Sequence, residues 1–185
     1  MSSPSTSTAI EAGNWQIDTV HSHVGFAVKH MVVATFRGSF NDYEGGLTVA
    51  DDSSQQLHGS VAVDSLVVKD ENLAGHLKSP DFFDTASYPQ ITFTSTNVRV
   101  EDGGRLEVEG QLTIKGNTRP VTATGVITGP HTDIRGSEKL GIELEAVVDR
   151  REFGLNWNAE LPKGGYALAD DVKLEVSLEL VREAA

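Results

Sequence analysis

The residues of this chain that could do chemistry are six histidines and a small group of hydroxyls and carboxylates near the N-terminus. His21 and His23 stand two apart, so on an extended strand they share one face, a spacing that can chelate zinc or copper. A third ligand is missing from the pattern. His30 has the opposite parity, and His58, His76 and His131 fall at unrelated positions with no acidic residue at ligand spacing. The histidines therefore read as hydrogen-bonded groups near strand ends, and no metal is expected. Asp18, His21 and Ser22 contain the residue types of a nucleophilic triad. Adjacent residues on an extended chain point to opposite faces, however, so Ser22 and His21 cannot bond as nucleophile and base without a sharp turn. No Gly-x-Ser-x-Gly elbow, phosphate-cradling loop, dinucleotide fingerprint or His-Glu-x-x-His motif occurs, and no catalytic residue is assigned.

The bulk composition narrows the field further. The 185 residues are enough for one domain with a sizeable core, and nothing separates two folding units. A formal net charge of -12 argues against nucleic acid and against anionic lipid surfaces as partners, because such binding rests on clustered Lys and Arg. The absence of cysteine excludes disulfides, thiolate nucleophiles and Cys-ligated zinc. Residues 1–13, rich in Ser and Thr without basic residues or an apolar run, read as a disordered leader, and 14–185 as a single domain. No stretch approaches the roughly 20 apolar residues of a membrane span, so the expected location is the cytoplasm.

The elements that must position any site are strands. Val24, Phe26 and Val28 alternate with Gly25, Ala27 and Lys29, and Leu57, Gly59, Val61 and Val63 continue the period of two. Ile91 and Phe93 lie on one parity but Val98 and Val100 on the other, which predicts a bulge between Ser95 and Asn97. Asp102-Gly103-Gly104 and Lys115-Gly116-Asn117 read as hairpin turns. Val121 to Thr128 reads as a strand ended by Gly129-Pro130, with 131–139 a polar connection. Ile142, Leu144, Ala146 and Val148 share one face, as do Val172, Leu174, Val176, Leu178 and Leu180, each run opposed by charged neighbours.

One stretch, 71–89, breaks the pattern. Asp70 or Asn72 can cap a helical turn carrying Leu73, His76 and Leu77, and Ser79-Pro80-Asp81 looks like a second start, so two short helices in tandem are expected to deliver Phe82 and Phe83. Pro89 then returns the chain to extended structure. About eight strands with one apolar face each commonly close into a barrel. Gly38, Gly59, Gly110 and Ala146 take apolar-parity positions, consistent with either a hollow interior or strand bends.

Four blocks of sequence resemble the YceI family of bacterial lipocalin-like, polyisoprenoid-binding proteins, and the likeness runs from Trp15 to Leu180. They are Trp15-x-Ile17-Asp18-x-x-His21-Ser22-x-Val24-x-Phe26-x-Val28-x-His30 with Gly38-x-Phe40; His76-Leu77-Lys78-Ser79-x-Asp81-Phe82-Phe83-Asp84 with Tyr88-Pro89, Phe93, Ser95 and Thr96; Gly110-x-Leu112-Thr113-Ile114-Lys115-Gly116-x-Thr118-x-Pro120-Val121; and Arg150-x-Glu152-Phe153-Gly154 with the strand from Val172. The resemblance implies an all-β fold, an eight-stranded antiparallel lipocalin-like barrel with one or two short helices covering the cavity. It also implies an apolar tunnel for a long-chain lipid, and a homodimer. On that footing the candidate lining is Val24, Phe26, Val28, His30, Phe36, Phe40, Val61, Leu77, Phe82, Phe83, Phe93, Leu112, Ile142, Leu144, Phe153 and Trp157. On the same resemblance His21, Ser22 and His30 fall at family positions near the barrel wall. Leu73-Ala74 stand where the family often has Arg-Asp, and Asp149 and Glu152 where it has Asn and Asp, so no head-group preference carries over.

A buried head group would need polar partners, for which His76, Ser79, Arg150 and Asn156 are the candidates. The expected function is storage or transport of a polyisoprenoid or isoprenoid quinone without turnover and without any cofactor. A fatty acid or acyl amide in the same tunnel is the nearest variant. An enzyme using His21 or His30 as general base, and an interaction protein with a filled barrel, are the rivals.

Overall fold

In the computed structural model, which describes residues 9–184, the period-two patterning resolves into eleven strands and one α-helix. The strands are β1 (Gly13–Ile17), β2 (His23–His30), β3 (Ala34–Phe40), β4 (Tyr43–Val49), β5 (Gln55–Ala62), β6 (Leu66–Val67), β7 (Gln90–Val100), β8 (Arg105–Ile114), β9 (Asn117–Thr132), β10 (Glu138–Asp149) and β11 (Leu168–Arg182), and helix α1 spans Glu71–Lys78. Hydrogen bonding runs β1-β4-β5-β7-β8-β9-β10-β11 and returns from β11 to β1, an eight-stranded antiparallel barrel. Closure leaves no free edge in this ring, and strand alternation commits every inward side chain to the interior.

The remaining strands form an upper panel. β11 pairs first with β2 through Leu168 to Ser177 and then with β1 through Leu180 to Arg182, so β1 and β2 are successive pieces of one wall strand. β3 and β4 stand in the same relation, as do β5 and β6. Three neighbouring strands are thus interrupted at one level, at residues 18–22, 41–42 and 63–65. Two serines staple this seam. Ser22 Oγ donates to the Asp18 carbonyl at 2.6 Å and accepts from Glu179 N at 2.9 Å, while Ser65 Oγ donates to the Ala62 carbonyl at 2.7 Å and accepts from Asp42 N at 3.0 Å.

The interior divides into two packed groups. Below the seam, Trp15, Leu47, Val49, Leu106, Val108, Leu140, Ile142 and Leu180 fill the bore. Above it, Phe26, Phe40, Leu77, Phe82, Leu112, Ile114 and Phe153 line the wall and its cover. Of the leader expected over 1–13, residues 1–8 lie outside the described residues. Ile10 packs against the lower group and Glu11 accepts the Trp15 indole N–H, so the segment just before β1 is docked on the barrel.

Two local expectations are revised and a third holds. A single helix forms: Asp70 accepts Leu73 N at 2.8 Å as its N-cap, but the left-handed Asp84 (φ 49°) stops the turn begun at Ser79-Pro80 from growing into a second, and Phe82 and Phe83 come from the turns that follow. Strand β9 does not stop at Gly129-Pro130. It continues to Thr132, with those two residues opposite Leu140 alone, a bulge at which proline's missing N–H costs no ladder bond. The bulge predicted in β7 is present at Thr96, between the pairs Ser95–Gly110 and Asn97–Glu109.

The inward glycines have separate roles. A Cβ on Gly38 would lie 2.5 Å from the Phe26 ring and one on Gly110 would lie 2.4 Å from the Phe93 ring, so these glycines let aromatic rings lie flat on the wall. Gly59 and Ala146 border open space instead. Gly110→Val is expected to destabilise the barrel by about 1 to 3 kcal/mol through overpacking against Phe93. Gly75→Ala, in the helix with nothing near its would-be Cβ, should stabilise by about 0.5 to 1 kcal/mol. Urea unfolding of the two variants should therefore shift the midpoint in opposite directions.

Candidate functional site

Above the filled lower half the bore is open, a cavity of about 630 Å3. That volume falls within the roughly 300 to 1,000 Å3 of small-molecule sites. Its floor is the top of the lower core, where Leu57, Leu144 and Leu178 face upward. The wall carries Val24, Phe26, Val28, Phe40, Val61, Ile91, Phe93, Leu112, Ile114, Val148, Val172 and Leu174, all placed inward by strand alternation. Helix α1 covers one side with Leu73 and Leu77, and the following turn adds Phe82 and Phe83. At the mouth, His30, Ala34 and Thr35 border the cavity while exposed to solvent, facing Trp157, Ala167 and Leu168.

Two aromatic groups shape this upper end. Phe26, Phe40 and Phe83 meet at centroid distances of 5.9 to 6.4 Å, and Phe36 lies 6.2 Å from Phe26. Opposite, His76 stands edge-on to Phe82 at 5.1 Å and to Trp157 at 4.8 Å, with its Nε2 3.0 Å from Asp81 Oδ2. The cover is tied down by Lys115 in the β8–β9 turn, whose Nζ donates to the carbonyls of Pro80 at 2.9 Å and Gly154 at 3.4 Å. Asn117 adds a bond to the Phe153 carbonyl at 3.0 Å.

Arg150 is the charged side chain buried in this wall, 6% exposed. Its Nε donates to Ala169 O at 2.9 Å and its Nη1 to Leu155 O at 2.6 Å and Trp157 O at 2.8 Å, and Nη2 faces Asp170 at 3.6 Å. Burial pushes the guanidinium pKa down, opposed by Asp170 and Asp149. Its donors are largely spent on holding the segment between β10 and β11 in the shape that brings Trp157 to the mouth.

Of the sixteen lining candidates, fifteen border the cavity and Ile142 does not. Ile142 lies one inward step below Leu144, in the filled half, 2% exposed. Among the head-group candidates His76 and Arg150 border the cavity. Ser79 caps the helix by donating to the His76 carbonyl at 2.6 Å, and Asn156 is exposed. Sequence reasoning passed over Leu73, Ile91, Ile114, Leu155, Leu168 and Leu174, which also border it. The inward parity of Ile91, Ile114 and Leu174 was readable, but not the level at which each sits, while Leu73 on the helix and Leu155 outside any strand carried no parity signal.

The polar cluster of the N-terminal region lies elsewhere. His21 Nδ1 is 3.0 Å from Asp18 Oδ2, and with Glu179 these groups form a metal-like set within 4.8 Å of one another. His23 is not part of it. Lys139 bonds Glu179 and lies 3.6 Å from Asp18, so an ammonium already neutralises the carboxylates. None of the four residues borders the cavity.

An up-and-down antiparallel barrel with one filled half, one open apolar half and a helical cover defines a lipocalin-like class of protein. A YceI-like domain model matches residues 15–180, and the chain belongs to the YceI family. A UPF0312 protein of Staphylococcus aureus strain USA300 is 34% identical over 172 residues, 90% of this chain and 96% of the relative. Among solved structures, the YceI protein of Campylobacter jejuni is 26% identical with a TM-score of 0.70, over 91% of this chain and 97% of that one. Burkholderia cenocepacia BcnA is 22% identical (TM-score 0.73; 88% and 98% covered), and a polyisoprenoid binding domain from Saccharophagus degradans is 12% identical (TM-score 0.69; 94% and 100% covered). These last two share the fold.

Replacing Arg150 by Met should cost about 2 to 4 kcal/mol, because it leaves buried carbonyls without donors. The check is a lowered urea midpoint. For His21, Asp18 raises the imidazole pKa above 6.5. The pair therefore favours folding below the unfolded value, and its contribution fades as pH rises through the folded one. An NMR titration should show this elevation, and Asp18→Asn should remove most of it, leaving the smaller contribution of Glu179.

Proposed function

We propose that this protein is a non-catalytic carrier of a long-chain amphiphilic lipid, a polyisoprenoid or isoprenoid quinone, with the chain in the bore and the head group at the mouth. The observation that carries the reading is the 630 Å3 cavity whose inward wall is almost wholly aliphatic and aromatic. A barrel filled by its own side chains, the structural rival, does not have this space. At about 0.8 kcal/mol per buried CH2, about three or four isoprene units outweigh the several kcal/mol lost in immobilising the ligand. The description of the Saccharophagus domain as polyisoprenoid binding agrees with that class of ligand. A fatty acid or acyl amide fits the same wall chemistry and is the closest variant.

The tunnel-lining set named from sequence, without Ile142, is the proposed binding surface, with His76 and Arg150 as the polar groups within reach of a head group. The enzyme reading is weakened by position. His21 is held by Asp18 outside the cavity, which leaves His30 at the exposed mouth as the remaining base. A homodimer, which the family resemblance implies, acting in the cytoplasm completes the proposal.

Native mass spectrometry of gently purified protein should show an added mass that organic extraction removes and identifies as a lipid, and the same spectrum gives subunit number. Ala146→Phe, which fills the bore from β10, is expected to lower loading about tenfold or more, whereas Glu143→Gln on the outward face leaves it unchanged. Protein that carries no added mass and takes up none of the candidate lipids would overturn the reading.

A further inference from the structure

The hairpin joining β2 to β3 is built against its own conformational interest. Met31 and Val32 both adopt left-handed backbone (φ 54° and 66°), where glycine or asparagine is the usual choice and a β-branched residue is an outlier. Their side chains are not used by the fold. Met31 is 41% exposed, Val32 76% and Val33 85%. An apolar, strained tip facing water implies a demand from outside the molecule.

The tip sits beside the cavity mouth. His30 and Ala34, its two flanking residues, pair across the hairpin and border the cavity. Met31 N donates to Ala167 O at 2.7 Å, which ties the tip to a second hairpin over 159–167 that presents Tyr166, 57% exposed. The charge here departs from the chain as a whole. In a protein of net charge -12, residues 19–41 contain no Asp or Glu and carry the exposed Lys29 beside the first tip, while in the 159–167 hairpin the exposed Lys163 offsets its single acidic residue, Glu160. Apolar tip, tyrosine at its edge and lysines behind are the ingredients that seat a protein in the headgroup layer of an anionic bilayer.

We propose that the paired tips, Met31 to Val33 and the 159–167 hairpin, dock this end of the barrel into an anionic lipid surface. Seated there, the mouth opens onto the acyl region, and a lipid enters the bore without crossing water. The purpose rests on the carrier reading, but vesicle binding and cavity loading are separate measurements.

The test is co-sedimentation with phosphatidylcholine vesicles containing phosphatidylglycerol. The wild type should bind, more weakly as salt rises. Val32→Ser with Val33→Ser should bind about tenfold less while keeping its melting temperature and any lipid already in the cavity. Val20→Ser, at a valine 83% exposed in the seam and away from both tips, should bind like the wild type. Wild type that stays in the supernatant, or a double variant that binds unchanged, overturns the proposal. So does a double variant that converts a dimer to a monomer without altering vesicle binding, which would assign the tip to a second copy of the chain. Strong vesicle binding by protein that never loads a lipid would instead overturn the carrier reading alone.

Discussion

The pairing of the last strand with the first sets everything else in the molecule. β11 is long enough to bond β10 along one side and both β1 and β2 along the other, and that bond closes the ladder into a ring. A closed ring of eight strands has a fixed, narrow radius, so the inward side chains decide level by level whether the bore is solid or open. Where they are Trp15, Leu47, Leu106, Leu140 and Leu180 they meet across it. Where they include Gly59 and Ala146, and where rings lie flat over Gly38 and Gly110, they do not. The cavity is thus a consequence of side-chain volume on a conserved-width scaffold, with no special backbone device needed to create it.

The cover is held by polar chemistry outside the bore, which keeps the interior apolar. Asp70 starts the helix, Ser79 ends it, and Lys115 and Asn117 fasten the turn and the Arg150 segment from behind. Arg150 itself spends its donors on backbone carbonyls, which lets a buried cation shape the mouth without leaving unpaired groups in the wall.

Much of this was legible in the sequence because strand parity is a local property. The parity change from Ile91 and Phe93 to Val98 and Val100 located the β7 bulge correctly, and the family blocks gave the barrel and its helix. What parity cannot report is height along the bore. Ile142 and Leu144 carry the same signal, yet one lies in the solid half and the other at the cavity floor. Ser79-Pro80-Asp81 has helix-start chemistry, but its hydroxyl is taken by the preceding helix end. Gly129-Pro130 looks like a stop, and becomes a bulge because β10 offers a partner strand beyond it. In each case long-range pairing overruled a local signal.

The seam across the first three wall strands has a mechanical meaning. The panel of β2, β3 and β6 keeps its ladder to β11 but is joined to β1, β4 and β5 only through short irregular links stapled by Ser22 and Ser65. The rim is thus bonded laterally to β11, whereas the lower half is bonded all the way round. The entrance and the base are therefore held by separate sets of ladder bonds.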